Sequence, residues 1–173
     1  MISVHAPHDP ATPAPRHLQL YNKAAIPKGP AFNEADVSDK PSFIRDRKPF
    51  SSTSLATAKT NYRNRLRSLR AVDEGLSAIL QRLASYQLSE RTYVVFFADN
   101  GVLFGEHRMM RSKGGPYEEC NGVALVMRGP GIPAGQRRPH LVTNADLAAT
   151  FADWAGAAHP AGSDGRSLQP LLG

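Results

Sequence analysis

The sequence predicts an α/β fold, a mostly parallel sheet flanked by helices, and three observations predict it. Residues 92–98 and 123–127 are rich in β-branched and aromatic side chains without polar alternation, as expected of strands covered on both faces. Residues 57–83 place Tyr62, Leu66, Leu69, Val72, Leu76, Ile79, Leu80 and Leu83 at spacings of three and four, an amphipathic helical stripe. A second helical pattern follows Asn144, so the order is helix, strand, loop, strand, helix.

Ahead of these elements, residues 1–56 carry recurrent prolines (Pro7, Pro10, Pro13, Pro15, Pro27, Pro30, Pro41, Pro49), which remove backbone donors and break helical periodicity. An irregular, extended segment is expected there. A segment of this length without its own core should wrap a larger body or carry function. Residues 57–173 then form the α/β core, and 1–173 read as one body.

Within the long helix, Arg63, Arg65, Arg67 and Arg70 fall off the apolar stripe and read as a solvated face. Asp73 continues the Tyr62, Leu66, Leu69 series, which predicts a core-facing carboxylate hydrogen-bonded to a neighbour. The strand at 123–127 ends in Arg-Gly-Pro-Gly, a turn sequence. Asn144 is placed to cap the last helix, Leu147, Phe151 and Trp154 form its apolar face, and Gly156 marks its stop.

Composition narrows the function. The 173 residues are 41% hydrophobic with a formal charge of +6, suited to one medium domain attracted to anions. Cys120 is the single cysteine, so disulfide frameworks and multi-cysteine metal sites are excluded. No apolar run approaches membrane-spanning length, MISVHAPHDP has neither the basic nor the apolar region of a secretory leader, and the sequence carries no recognisable address. P-loop nucleotide binding lacks its motif. A basic module using Arg45, Arg47, Lys48 and the Arg63–Arg70 cluster is disfavoured, because no aromatic-interleaved nucleic-acid platform accompanies them.

Asp99, Asn100 and Gly101 follow the carboxyl end of the first apolar strand, where ligands gather in open parallel sheets. Two hard oxygen donors suit calcium or magnesium, and Gly101 allows a sharp turn; Asp-Asn-Gly is equally a good turn on its own. The following loop adds His107, Arg108, Arg111 and Lys113. Each has an ordinary structural reading beside a role near a metal-held anion. His8 sits between Pro7 and Pro10, which restrict its backbone, and pairing it with His5 on zinc lacks a third ligand.

Taken in order, these segments resemble the sulfatase family of the alkaline-phosphatase-like superfamily. The residues that carry the resemblance are His8 in APHDPATPAPRH, FNEADVSDKP, YRNRLRSLRAVDEGL, FFADNGVLFGEH, KGGPYEE, VALVMRGPGIPAG, LVTNADLAATFADWAG and DGRSLQPLL. They span almost the whole chain and are similar to arylsulfatase and N-acetylglucosamine-6-sulfatase members.

The resemblance implies the second half of an alkaline-phosphatase-like catalytic domain. It implies that Asp99 and Asn100 ligate a divalent cation, usually calcium, that Lys113 and His8 bind sulfate, and that His107 lies at the substrate rim. The implied substrate is an aryl or carbohydrate sulfate ester. The family's formylglycine arises in a Cys/Ser-x-Pro/Ala-x-Arg segment, which this sequence lacks; Cys120 lies in CNGVA. A complementary N-terminal half is therefore an expected partner, the chain alone is expected to be inactive, and its sheet should expose apolar surface. A phosphoester or phosphonate hydrolase of the same superfamily is the alternative.

Overall fold

The structure, a computed structural model, describes every residue except Gly114 and Pro160. Gly114 belongs to the quoted KGGPYEE segment and lies outside the described residues. The chain divides into two compact units: Met1–Ser85 with Asn100–Gly122, and Tyr86–Asp99 with Val123–Gly173.

The first unit is built on a helix. Residues 1–41 are irregular apart from a three-ten turn at Pro15–His17, and they lead through α1 (Ser42–Arg45) into α2 (Ser52–Ser85). The predicted helix is present and longer than its apolar stripe. Arg70 is exposed as expected, but Arg63, Arg65 and Arg67 are not a solvated face. Arg63 Nε donates to the Ala24 carbonyl at 2.9 Å, and Arg67 donates to the Leu20 carbonyl at 2.8 Å and to Asn22 Oδ1 at 2.6 Å. The proline-rich segment offers carbonyls with no strand or helix partner, and guanidiniums satisfy them.

Asp73 also departs from expectation. Its side chain is 67% exposed and pairs with Arg70 one turn earlier. The neighbouring Glu74 takes the long-range role instead, accepting from Arg16 Nη2 at 2.6 Å and bonding His17 Nε2 at 2.7 Å. Arg16 first, then His17, hold the Glu74 carboxyl below its ordinary value.

The same unit contains an antiparallel pair, β2 (Leu103–Phe104) and β3 (Met110–Ser112), and a short helix α3 (Glu118–Asn121). Val37, Ile44, Leu103, Met109 and Cys120 form its core, with Tyr117 packed against them. Cys120 is thus a buried apolar filler. Phe104 lies 5.5 Å from the Tyr62 ring and beneath the Arg65 guanidinium, which packs the hairpin on α2.

In the second unit β1 (Val94–Phe97) pairs with β4 (Leu125–Arg128), and α4 (Ala145–Trp154) and α5 (Gln169–Leu172) follow. The mixture of helices and small sheets is consistent with an α/β class, but the expected parallel pairing is corrected. Both described ladders are antiparallel. Phe97 faces Leu125, so the chain leaves and re-enters the ladder at the same end, as antiparallel pairing requires.

Two-faced burial is corrected as well: Phe96 is 42% and Val126 62% exposed, and they are cross-strand partners on one apolar face. Against α4, Tyr93 stacks on Trp154 with centroids 3.9 Å apart. Leu147 is buried, while Phe151 is 42% exposed, so the inward face of α4 runs through Leu147 and the fully buried Thr150. The helix ends as expected, with Gly156 at φ +64°.

Candidate functional site

Local chemistry explains the geometry at the end of β1. Asn144 does not cap α4 with its side chain. Its Nδ2 donates to the Asp99 carbonyl at 2.9 Å and the Ala98 carbonyl at 3.3 Å, fixing the backbone that presents Asp99. Asp146, in the first turn of α4, accepts instead from the backbone N–H of Thr143 at 2.7 Å and of Arg166 at 2.8 Å, tying the segments on either side of the helix to it.

One residue on, Asn100 Nδ2 donates to the Gly101 carbonyl at 2.7 Å, which turns its Oδ1 the other way. Gly101 itself uses close approach rather than a left-handed turn. A Cβ there would run into the Glu119 carbonyl oxygen, and its N–H donates to the Cys120 carbonyl at 2.8 Å. The boundary between the two units falls between Asp99 and Asn100, and both side chains are exposed.

His8 and Lys113 belong to the first unit, and a residue absent from the sequence reasoning brings their segments together. Asp9, next to His8, accepts from Asn61 Nδ2 at 3.2 Å and pairs with Arg65 at 3.2 Å, both on α2; it pairs also with Arg111 at 3.5 Å, two residues before Lys113. Burial pushes the Asp9 carboxyl up, but the Asn61 hydrogen bond and the Arg65 and Arg111 charges outweigh it, leaving the carboxyl below its ordinary value.

The His8 Nδ1 lies 2.9 Å from the Asp9 carbonyl oxygen. A carbonyl only accepts, so Nδ1 carries the proton and Nε2 is the ring atom left for a ligand. His5 packs edge-on at 5.2 Å. Lys113 is exposed at the end of β3. Asp9 could have been suspected only as an acid beside His8; its partners lie 52 and more residues away.

His107 is held inside the first unit. Its Nδ1 bonds Glu34 at 3.0 Å, its ring lies 4.2 Å from Tyr117, and its side chain is 13% exposed. His107 first, then Lys40, hold the Glu34 carboxyl below its usual value against the opposing effect of burial. Arg108 caps the carbonyls of Glu34, Ala35 and Arg47.

Asp99 and Asn100 supply a carboxylate and an amide oxygen, the hard donors calcium takes in shells of six to eight. Among the described residues no group of three or more His, Cys, Asp or Glu side chains is placed to hold a metal. Asp99 and Asn100 alone are too few to fill such a shell.

The profile of the family described as Sulfatase matches residues 1–157. N-acetylglucosamine-6-sulfatase from Homo sapiens is 33% identical over 174 residues, covering 99% of this chain and 31% of that protein. A protein solved in complex with its substrate D-glucosamine-2-N,6-O-disulfate superposes with a TM-score of 0.77 at 26% identity, covering 96% of this chain and 46% of that one. A phosphonate monoester hydrolase from Silicibacter pomeroyi gives 0.73 at 24% identity over 96% and 35% of the chains, a likeness of fold. The chain spans between 15% and 34% of the length of the curated relatives compared. No described helix is long and apolar enough to cross a membrane.

Proposed function

The chain belongs to the sulfatase family, and on that premise we propose that it supplies the sulfate-recognising and part of the metal-binding machinery for hydrolysis of sulfuric esters of carbohydrates. The observation that carries this reading is the family match over residues 1–157, with His8 and Lys113 flanking one Asp9–Arg111 pair.

In this proposal Asp99 and Asn100 ligate calcium, which when bound polarises the sulfuryl oxygens. Lys113 sets an ammonium point charge on a sulfate oxygen, and the His8 Nε2 contacts sulfate or the leaving oxygen. His107, tied to Glu34 and Tyr117 and largely buried, takes no part in this contact set. A sulfated hexosamine is the proposed substrate class, by analogy with the substrate named for the solved relative. The formylglycine nucleophile requires a segment these 173 residues do not contain, so this polypeptide by itself lacks the covalent route. A complementary segment of the domain is the proposed partner for the exposed Phe96 and Val126 face.

The test is hydrolysis of an aryl sulfate by the purified chain with calcium. No turnover above a variant with D99N and K113M is expected; metal-dependent turnover above that control contradicts the proposal. The phosphonate hydrolase neighbour motivates parallel assays on aryl phosphate and phosphonate. A basic nucleic-acid module loses support, because Arg63, Arg65 and Arg67 are spent on contacts within the chain.

A further inference from the structure

Beside the Asp9 pair the first unit carries an open groove of about 560 Å³, lined by Asp9, Pro10, Pro13, Asn61, Asn64 and Arg111 among others. That volume lies within the range of about 300–1,000 Å³ usual for small-ligand sites. A second hollow of about 390 Å³ shares Asn61 and Asn64 and extends along α2 past Thr57 and Thr60.

The polar groups are unequally committed. Asn61 is spent, donating to Asp9 and accepting from Arg65 Nε at 3.0 Å. Asn64 accepts from Arg67 through Oδ1 at 2.9 Å, which leaves its Nδ2 to donate. Two guanidiniums face one carboxylate, so a positive charge is left over. Arg65 is 15% exposed and tied to Asn61 as well as Asp9, whereas Arg111 is 49% exposed and touches Asp9 only at 3.5 Å. The spare charge therefore sits on Arg111. Arg111, within β3, also holds φ at +54°, a region costly for any residue with a side chain.

We propose that this groove is a second saccharide subsite, taking a sugar that bears its own carboxylate or sulfate, with Arg111 as the residue that selects for that anion. The ligand class rests on the sulfatase reading; the groove and its spare charge do not. Proline rings offer flat apolar faces to a sugar ring, Asn64 Nδ2 donates to a hydroxyl, and the Arg111 fork matches a planar carboxylate or one face of a sulfate. Arg111 stands two residues before Lys113, at most about 7 Å along the chain.

The isotope-labelled full chain is titrated at low salt with 6-O-sulfated N-acetylglucosamine, and with the same sugar linked to glucuronic acid, following backbone amides. The disaccharide is expected to move the amides of Ala11, Thr12, Asn61, Asn64 and Arg111 and to bind about tenfold tighter than the monosaccharide, as one charge-assisted contact allows. R111Q should remove that gain, so that the two sugars bind this variant equally. R111K, which keeps the Asp9 pair, should retain part of it, and each variant's spectrum reports its own folding. A disaccharide that binds no tighter, that moves only amides near His8 and Lys113, or whose gain survives R111Q overturns the proposal. K113M reads the sulfate assignment separately: if it changes neither ligand while the groove amides still move, the groove stands and the sulfatase reading of Lys113 falls.

Discussion

Replacing Thr150 by valine isolates one hydroxyl in the second unit. Thr150 is fully buried; its Oγ1 donates to the Asp146 carbonyl at 2.7 Å and accepts from the Leu168 N–H at 2.9 Å. Valine keeps the shape and leaves the Leu168 N–H, in a residue only 5% exposed, without an acceptor. An orphaned buried donor costs about 1–3 kcal/mol, so T150V should destabilise by about 2 kcal/mol. Serine keeps the hydroxyl and loses one buried methyl, a cost of about 1 kcal/mol. Urea unfolding can be followed through Trp154, the single tryptophan, which lies in the same unit. With a slope near 2 kcal/mol per molar, the midpoint should fall by about 1 M for T150V and about half that for T150S. A T150V midpoint equal to or above wild type, or below it by less than T150S, refutes the assignment of the Leu168 bond.

Asp146 gives a pH prediction. The Arg166 and Thr143 N–H bonds, set against the opposing effect of burial, leave its folded pKa below the ordinary value. Its contribution is therefore full above about pH 4 and lost as pH falls through the folded value. D146N should cost about 1–2 kcal/mol at neutral pH, and the gap from wild type should close in acid; a gap that widens there contradicts the carboxylate's role. G101A drives a Cβ into the Glu119 carbonyl and should lower stability by about 1–3 kcal/mol in thermal melts, whereas a glycine needed only for chain freedom would cost less. V126K places a charge on the exposed Phe96–Val126 face and should reduce self-association in sedimentation without lowering the melting temperature.

Local patterns revealed what depends on local spacing. The stripe from Tyr62 to Leu83 became α2, and the apolar runs became β1 and β4. Composition could not tell a strand covered twice from one with an apolar face left open, so parallel pairing was inferred where antiparallel pairing occurs. Arg63 and Arg67 looked solvated because the carbonyls they satisfy lie 39 and 47 residues away, on a segment with no periodicity. Asp73 misled for a related reason. The helix faces the proline-rich segment there, and that segment's arginine and histidine select Glu74.

The candidate site divides the same way. Asp99 and Asn100 were legible as polar residues at a strand end, whereas Asn144 behind Asp99 is 45 residues distant and looked like a cap. Asp9, which gathers α2 and β3 beside His8, had no signal beyond its charge. The roles of His8 and Lys113 rest on segment order along the chain rather than on spacing within any one motif.

The central claim is that this chain recognises a sulfate ester through Lys113 and His8. Calorimetric titration with glucosamine 6-sulfate and with glucosamine, for wild type, K113M and H8A, tests it most directly. The account predicts at least about tenfold preference for the sulfated sugar, a difference of about 1.4 kcal/mol, erased in K113M and reduced in H8A. Equal affinity for the two sugars in wild type, or a preference that survives K113M, contradicts it.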